Sequence, residues 1–167
     1  MTTKTSNKNL SSLIKSANFD WVNSKIEEYF TLEDVRGEFR LFHFNNQISS
    51  EKAIVEMQKE GYEPANATEL VTYAANGWDE TDWVVALGAS ARVHGGRYVV
   101  YLRGSGVERS LYLHDWGGDW DGGWRFLGVR VSGTQSLGTS DTLSLGNLIA
   151  RIEKLEKLFN PELLKTV

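Results

Sequence analysis

Residues 110–131 read SLYLHDWGGDWDGGWRFLGVRV: a short alternating run, a loop that spaces Trp116, Trp120 and Trp124 four apart among glycines and aspartates, and a second apolar run. Alternation in the first run and β-branched and aromatic content in the second predict two strands joined by the loop. Upstream, WVVALGAS (83–90) and RYVVYLR (97–103) have the same character and are punctuated by HGG and GSG. The region from residue 83 to residue 131 therefore reads as four strands, expected to be antiparallel.

Ahead of these strands the period changes. NFDWVNSKIEEYF (18–30) places Phe19, Val22, Ile26 and Phe30 at helical spacing, which predicts a short amphipathic helix. FRLFHF (39–44) is aromatic-rich and too short for a helix, so it reads as a strand with Phe39, Leu41 and His43 on one face. That placement makes His43 a satisfied, half-buried histidine and not a ligand. Ile48, Ser49 and Ala53 fit a staple around an N-cap, opening a helix with Ile54 and Met57 on one side that stops at Gly61. Asn66 and Glu69 have capping-box spacing for a second helix, with Leu70, Tyr73 and Ala74 as its stripe and Gly77 at the C′ position.

At 167 residues the chain is expected to be one domain, long enough to bury a core without staples. The expected division is a flexible N-terminus over 1–17, an α+β domain over 18–132, a Gly/Ser/Thr linker or loop over 133–144, and a C-terminal amphipathic helix over 145–160. Leu145, Leu148, Ile152, Leu155 and Phe159 alternate steps of three and four, the spacing of a helix that packs on a partner, as a monomer or in a homodimer. The absence of cysteine excludes disulfides and thiolate metal sites, and favours a cytoplasmic location. The first residues lack the apolar core of a signal peptide, and the longest apolar run, Trp83 to Ala89, is too short to span a bilayer, so no membrane partner is expected. Net charge is −4 with Lys and Arg scattered along the chain, which argues against nucleic acid as a partner.

The order strand, helix, helix, then a strand-rich half resembles the C-type-lectin-like fold, which also covers formylglycine-generating-enzyme-like domains. The resemblance rests on SSEKAIVEM, with an alanine in the first turn after the first strand; on GYEPANATELVTYA, a Gly-aromatic-x-Pro turn into a helix with an early acidic residue; and on the arginine-bearing GVRV. It covers residues 39–132 and implies two helices packed on a mainly antiparallel sheet, here with N-terminal and C-terminal helical extensions. FDWVN, FHFNNQISSE, GYEPANATEL, VVALG and WRFLGVR together are also similar to a group of uncharacterised bacterial proteins, which implies a bacterial or phage setting. The fold's sugar-binding calcium signatures are not found, and EPAN (63–66) precedes the second helix, whereas the lectin motif follows it. Calcium-dependent sugar binding and cysteine-based formylglycine chemistry are therefore not expected.

No cofactor or metal is expected from the motifs present. His43, His94 and His114 lie on separate elements without paired spacing for zinc, and an EF-hand frame beginning at Asp119 places Gly123 and Arg130 where ligands belong. GSGVERS lacks the Lys-Ser/Thr ending of a phosphate loop, and no G-x-S-x-G elbow occurs. What remains is the tryptophan loop. Asp115, Asp119 and Asp121 are plausible carboxylates for a glycosidase-type pair, but aspartates in glycine-rich turns ordinarily cap their own backbone. Trp116 and Trp124, beside strands, are expected to anchor the loop; Trp120, mid-loop with carboxylates on either side, is expected to be displayed to a ligand. By this reading Trp124→Ala destabilises the fold far more than Trp120→Ala. The function expected is a non-catalytic binding module that contacts a protein or small polar ligand through Trp120, Asp119, Asp121, Asp115, Trp116 and His114. A small carbohydrate-active or other hydrolase using the loop aspartates, and a structural or oligomerising subunit, are the alternatives.

Overall fold

A computed structural model describes residues 9–131. The elements are α1 (Leu10–Ser16), β1 (Trp21–Val22), α2 (Ser24–Tyr29), β2 (Gly37–Phe42), α3 (Ser50–Lys59), β3 (Glu63–Pro64), α4 (Ala67–Asn76), β4 (Trp83–Val93), β5 (Gly96–Gly104), β6 (Arg109–Asp115) and β7 (Trp124–Val131). They form a mixed α/β fold with one open, mostly antiparallel seven-stranded sheet, consistent with the α+β expectation. The expected 133–144 linker and 145–160 helix lie outside the described residues.

The four long strands exist as expected, but they are not all antiparallel. The sheet order is β1-β6-β5-β4-β7-β2, with β3 also on β7. β4–β5 and β5–β6 are antiparallel ladders, β4–β7 is parallel, and β2–β7 is antiparallel from Gly37↔Val131 to Phe42↔Phe126. It follows that β6 and β7 run in the same direction with two strands between them. The loop joining them cannot be a hairpin turn; it must travel back along the strands over one face of the sheet. A strand's alternation tells which face is buried and nothing about which neighbour takes its edge, so this reversal was invisible locally.

Alternate residues send two cores to opposite faces. Val84, Val100, Leu102, Leu111 and Leu127 meet α1, α2 and α4 through Leu10, Ile14, Ile26, Leu70 and Val71. Val85, Leu87, Val99, Tyr101 and Phe126 meet α3 through Ala53 and Met57, and meet Trp120 and Trp124. The crossing loop therefore replaces a helix as half of the second layer.

Two expectations about the N-terminal region are corrected. Leu10–Ser16, assigned to a flexible terminus, is a helix: Asn9 Oδ1 accepts the Ser12 amide at 2.9 Å, and Leu10 and Ile14 are buried. Leu10, Leu13, Ile14 and Ala17 are helically spaced, a signal masked by the polar residues around them. The single helix expected over 18–30 is instead a two-residue strand followed by a shorter helix. Asn18 takes a left-handed φ of 54°, Trp21 and Val22 pair parallel with Ser110 and Leu111, and Asn23 caps α2 by accepting the Lys25 amide at 3.0 Å. Asparagine tolerates left-handed backbone and caps helices, so the two asparagines break the periodic run.

The central helices follow the sequence closely. Ser49 caps α3, and Asn66 and Glu69 form the reciprocal capping box of α4. Gly77 ends α4 with an extended φ of 177°, not the left-handed turn of a C′ glycine. Arg109 ties the C-terminal ends of α1 and α4 to β6, donating to Ala17 O at 2.9 Å and Ala74 O at 2.6 Å, and also to Glu80 Oε1 at 2.6 Å.

Gly88 lies where β4 passes β3, in a stretch of irregular β4–β5 register between Ala86 and Ala91. Its amide donates to Ala65 O at 2.7 Å, and a Cβ there would stand 2.2 Å from Pro64 O. Backbone cannot yield as a side-chain tip does, so Gly88→Ala is expected to cost about 1–3 kcal/mol of overpacking. A urea melt of that variant checks it; an unchanged midpoint would mean β3 moves freely.

Candidate binding site

The tryptophan loop packs inward. Trp120 is fully buried and the largest such side chain among the described residues. Its amide and carbonyl bond both ways with Ile48 (2.8 and 2.9 Å), and its indole Nε1 donates to Ser50 Oγ at 2.8 Å. The Ser50 hydroxyl in turn donates to Trp116 O at 2.6 Å, so one buried serine satisfies two points of the loop. The Trp120 ring sits 4.7 Å from Trp124, 4.6 Å from His114 and 5.9 Å from Phe126, with edge-to-face geometry to Trp124 and Phe126. The expectation that Trp120 is displayed is thus corrected: the chain crosses the sheet at that residue, and an indole facing inward fills the space that a helix would otherwise fill.

The other loop residues follow from this. Trp124 is buried, as expected for an anchor. Trp116 is half-buried against the same core; its ring lies 3.7 Å from the Arg97 guanidinium, and its Nε1 is buried with no hydrogen-bond partner among the described residues. His114 donates from Nδ1 to Asp115 O at 2.8 Å. Asp115 accepts the Gly117 amide at 2.6 Å and Asp121 the Gly123 amide at 2.8 Å, the turn-capping role of aspartate. Asp119 accepts from Gln47 Nε2 at 2.9 Å. His43 is exposed, not half-buried, and donates from Nε2 to Gly122 O at 2.6 Å. Segment 43–50 is therefore the clamp that holds the loop down.

The structure brings a different set of side chains to the surface. Trp21 and Trp83 stay 44 % and 38 % exposed on the face that carries the loop, where neither α3 nor the loop reaches. Trp21 stacks on Tyr112 at 4.3 Å, Tyr112 on Tyr101 at 5.7 Å, and Tyr101 meets Trp83 at 6.0 Å. The exposed Arg103 guanidinium sits 5.1 Å from the Trp83 ring and 5.6 Å from Tyr112. Register explains the row: Trp21 and Arg103 both pair with Ser110, and Leu102 pairs with Val84, so Arg103 and Trp83 follow on the opposite face from that buried pair.

A sequence signal for this row existed. Tyr101 and Arg103 share a face by alternation, as do Ser110 and Tyr112; Trp21 lies in a run of helical spacing, and only its pairing with Ser110 joins it to them.

Burial pushes the Tyr101 phenol above its ordinary value of 10.0; Arg103 opposes that shift and Tyr112 adds to it. Burial, with Asp79 and Asp82, likewise raises Tyr73. In the unfolded chain both phenols ionise near the ordinary value, and in the folded protein only at higher pH. Their contribution to stability is therefore full below about pH 10 and lost as pH rises through the raised values. Urea melts at pH 8 and 11 should show the loss, and Tyr101→Phe should reduce it; a pH-independent midpoint would contradict the burial of the row.

The helix-covered side carries grooves of its own: one of about 380 Å³ is lined by Glu33, Asp34, Arg36, Asn66 and Gly88, and one of about 280 Å³ lies beside Arg109 and Trp78. The arginines in them are paired: Arg36 with Glu69 at 2.8 Å, and Arg109 with Glu80 at 2.6 Å. Among the described residues no three His, Asp or Glu side chains gather as a metal would require, and no helix is long and apolar enough to cross a membrane.

Fold and surface together define a mixed α/β protein whose open sheet carries an exposed aromatic and arginine row. No family model, curated protein or solved structure matches the chain.

Proposed function

We propose that the protein is a non-catalytic binding module of C-type-lectin-like fold, and that it contacts a protein or small polar ligand through Trp21, Trp83, Tyr112 and Arg103. The observation that carries this reading is the pair of tryptophans left 44 % and 38 % exposed in a ring row that already has apolar neighbours to pack on. Flat apolar faces beside a guanidinium suit a ligand with a planar or ring body and an anionic or hydrogen-bond-accepting group. The fold assignment draws support from the succession of β2, α3 with Ala53 in its first turn, the turn through Gly61 and Pro64, α4 with Glu69, and β7 with Arg130. The lack of cysteine suits a reducing, cytoplasmic compartment, and the resemblance of FDWVN, FHFNNQISSE and WRFLGVR to bacterial proteins suits a bacterial or phage setting. Asp115 and Asp121 accept backbone amides of their own turns, which weighs against the hydrolase reading.

The test is a thermal-shift panel of glycans, nucleotides and short peptides on wild type, Trp21→Ala, Trp83→Ala and Arg103→Ala. A ligand at 100 times its Kd stabilises the native state by about 2.7 kcal/mol. A shift seen in wild type and lost in the three variants is the expected outcome. A ligand whose shift is indifferent to all three removes this surface from consideration.

A further inference from the structure

We infer that two copies of this chain join edge to edge through β2, as antiparallel strands related by a two-fold axis at Phe39. β2 closes the strand order at the end away from β1, and no described strand lies beyond it. Which of its groups point outward follows from β7. Leu127 O accepts the Ala65 amide at 2.9 Å on the β3 side, so Leu127 turns its backbone away from β2, and Phe126, Gly128 and Arg130 turn theirs towards it. The register then commits Phe42, Arg40 and Glu38 to the β7 ladder and points the N–H and C=O of Gly37, Phe39 and Leu41 outward. Among the described residues these outward groups have no hydrogen-bond partner. The strap over 30–36, which joins α2 to β2, does not serve them: its Glu33 and Arg36 amides donate to Thr68 and Glu69 of α4.

Sheet edges are ordinarily blunted by brevity, proline, lysine or a bulge. The opposite edge obeys, since β1 has two residues. β2 has six in unbroken register, with neither proline nor lysine, and leaves Phe39 and Leu41 half-buried on the helix-covered face. Its sequence selects a second copy as the occupant. The outward residues are all odd-numbered, so three antiparallel registers pair two or more of them with their copies. Centring on residue 38 sets Glu38 against the partner's Glu38, and centring on residue 40 sets Arg40 against the partner's Arg40. Centring on Phe39 uses all three outward residues and sets Glu38 against the partner's Arg40 twice over, at the non-hydrogen-bonded positions where side chains come closest. Neighbouring charges keep the signs alternating. Glu38 lies opposite Arg130 and Arg40 pairs with Glu60, so each row across the junction reads Arg130, Glu38, the partner's Arg40, the partner's Glu60. Glu56 and Lys59 of α3 pair with each other, and Glu33 and Asp34 precede the joined length. The junction lies at the far end of the sheet from Trp21, so the dimer displays two copies of the aromatic row.

Sedimentation velocity of the full-length protein over a concentration series tests this. The wild type is expected to form a concentration-dependent dimer. Glu38→Arg and Arg40→Glu, both at exposed positions, should each raise the dimer Kd by about tenfold or more, because each sets like charges opposite each other twice. An equimolar mixture of the two variants should recover association, since the mixed pair again has opposite signs across the junction; circular dichroism confirms that each variant folds. In this cysteine-free chain, Glu38→Cys mixed with Arg40→Cys should give a disulfide-linked dimer under mild oxidation, faster than either variant alone. A wild type that stays monomeric, a dimer indifferent to both charge reversals or not recovered on mixing, or either cysteine variant linking to itself faster than to the other overturns the inference. A monomer whose Phe39 and Leu41 amides resist hydrogen exchange also overturns it, by giving the edge to another part of the same chain.

Discussion

Trp120→Ala is expected to lower the stability of the fold by about 3–5 kcal/mol, as truncation of a large buried aromatic does. The side chain is fully buried, three rings lie within 6 Å of its own, and its indole N–H is taken by Ser50. Removing it opens a cavity between α3 and the sheet and unseats the crossing loop, whose Ile48 bridge then has no buried ring beneath it. Trp124→Ala removes a ring of the same size that is 7 % exposed at the start of β7, so its cost should not exceed that of Trp120→Ala. This reverses the order expected from the sequence. Trp120→Phe should retain most of the packing and lose about 1 kcal/mol for the missing donor to Ser50. Urea unfolding of the three variants measures all of this. A Trp120→Ala loss well below that of Trp124→Ala would mean that the loop does not cross the sheet as described.

Glu69→Ala is expected to cost about 3 kcal/mol, the lower end for breaking a buried ion pair, because Arg36 is 34 % exposed and water can partly solvate it once it is alone. The carboxylate is fully buried and has two roles. It closes the α4 capping box by accepting the Asn66 amide at 2.9 Å, and it holds the strap by accepting the Arg36 amide at 2.9 Å and its guanidinium at 2.8 Å. Loss of the side chain leaves these donors unsatisfied together. Hydrogen exchange gives a second readout: the Glu33 and Arg36 amides should lose protection more than those of β5. Uniform loss across the sheet would indicate a general destabilisation and no special hold on the strap.

Local signals in this chain match the structure where the interaction lies within a few residues. Ser49 and Asn66 cap their helices because a short polar side chain followed by free amides is a self-contained arrangement. The four strands from Trp83 to Val131 appear where alternation and turn glycines place them. Asp115 and Asp121 bond amides two residues ahead, as aspartates in glycine-rich turns do. Local pattern fails where it admits two outcomes. Phe19, Val22, Ile26 and Phe30 keep one face to the core, but Asn18 and Asn23 divide the run, and Val22 reaches that core from a strand.

What the sequence by itself determined, then, is the kind and place of most elements and the alternating faces of the strands, since caps, turns and periodicity act over one or two turns of chain. Only the tertiary structure decided that β7 passes its predecessors to lie parallel to β4, because a strand edge offers the same amides and carbonyls to any neighbour. That one choice sends the tryptophan loop across the sheet, buries Trp120 under Ile48 and Ser50, and leaves Trp21 and Trp83 outside. Whether an indole is core or surface depended on where the chain had to cross.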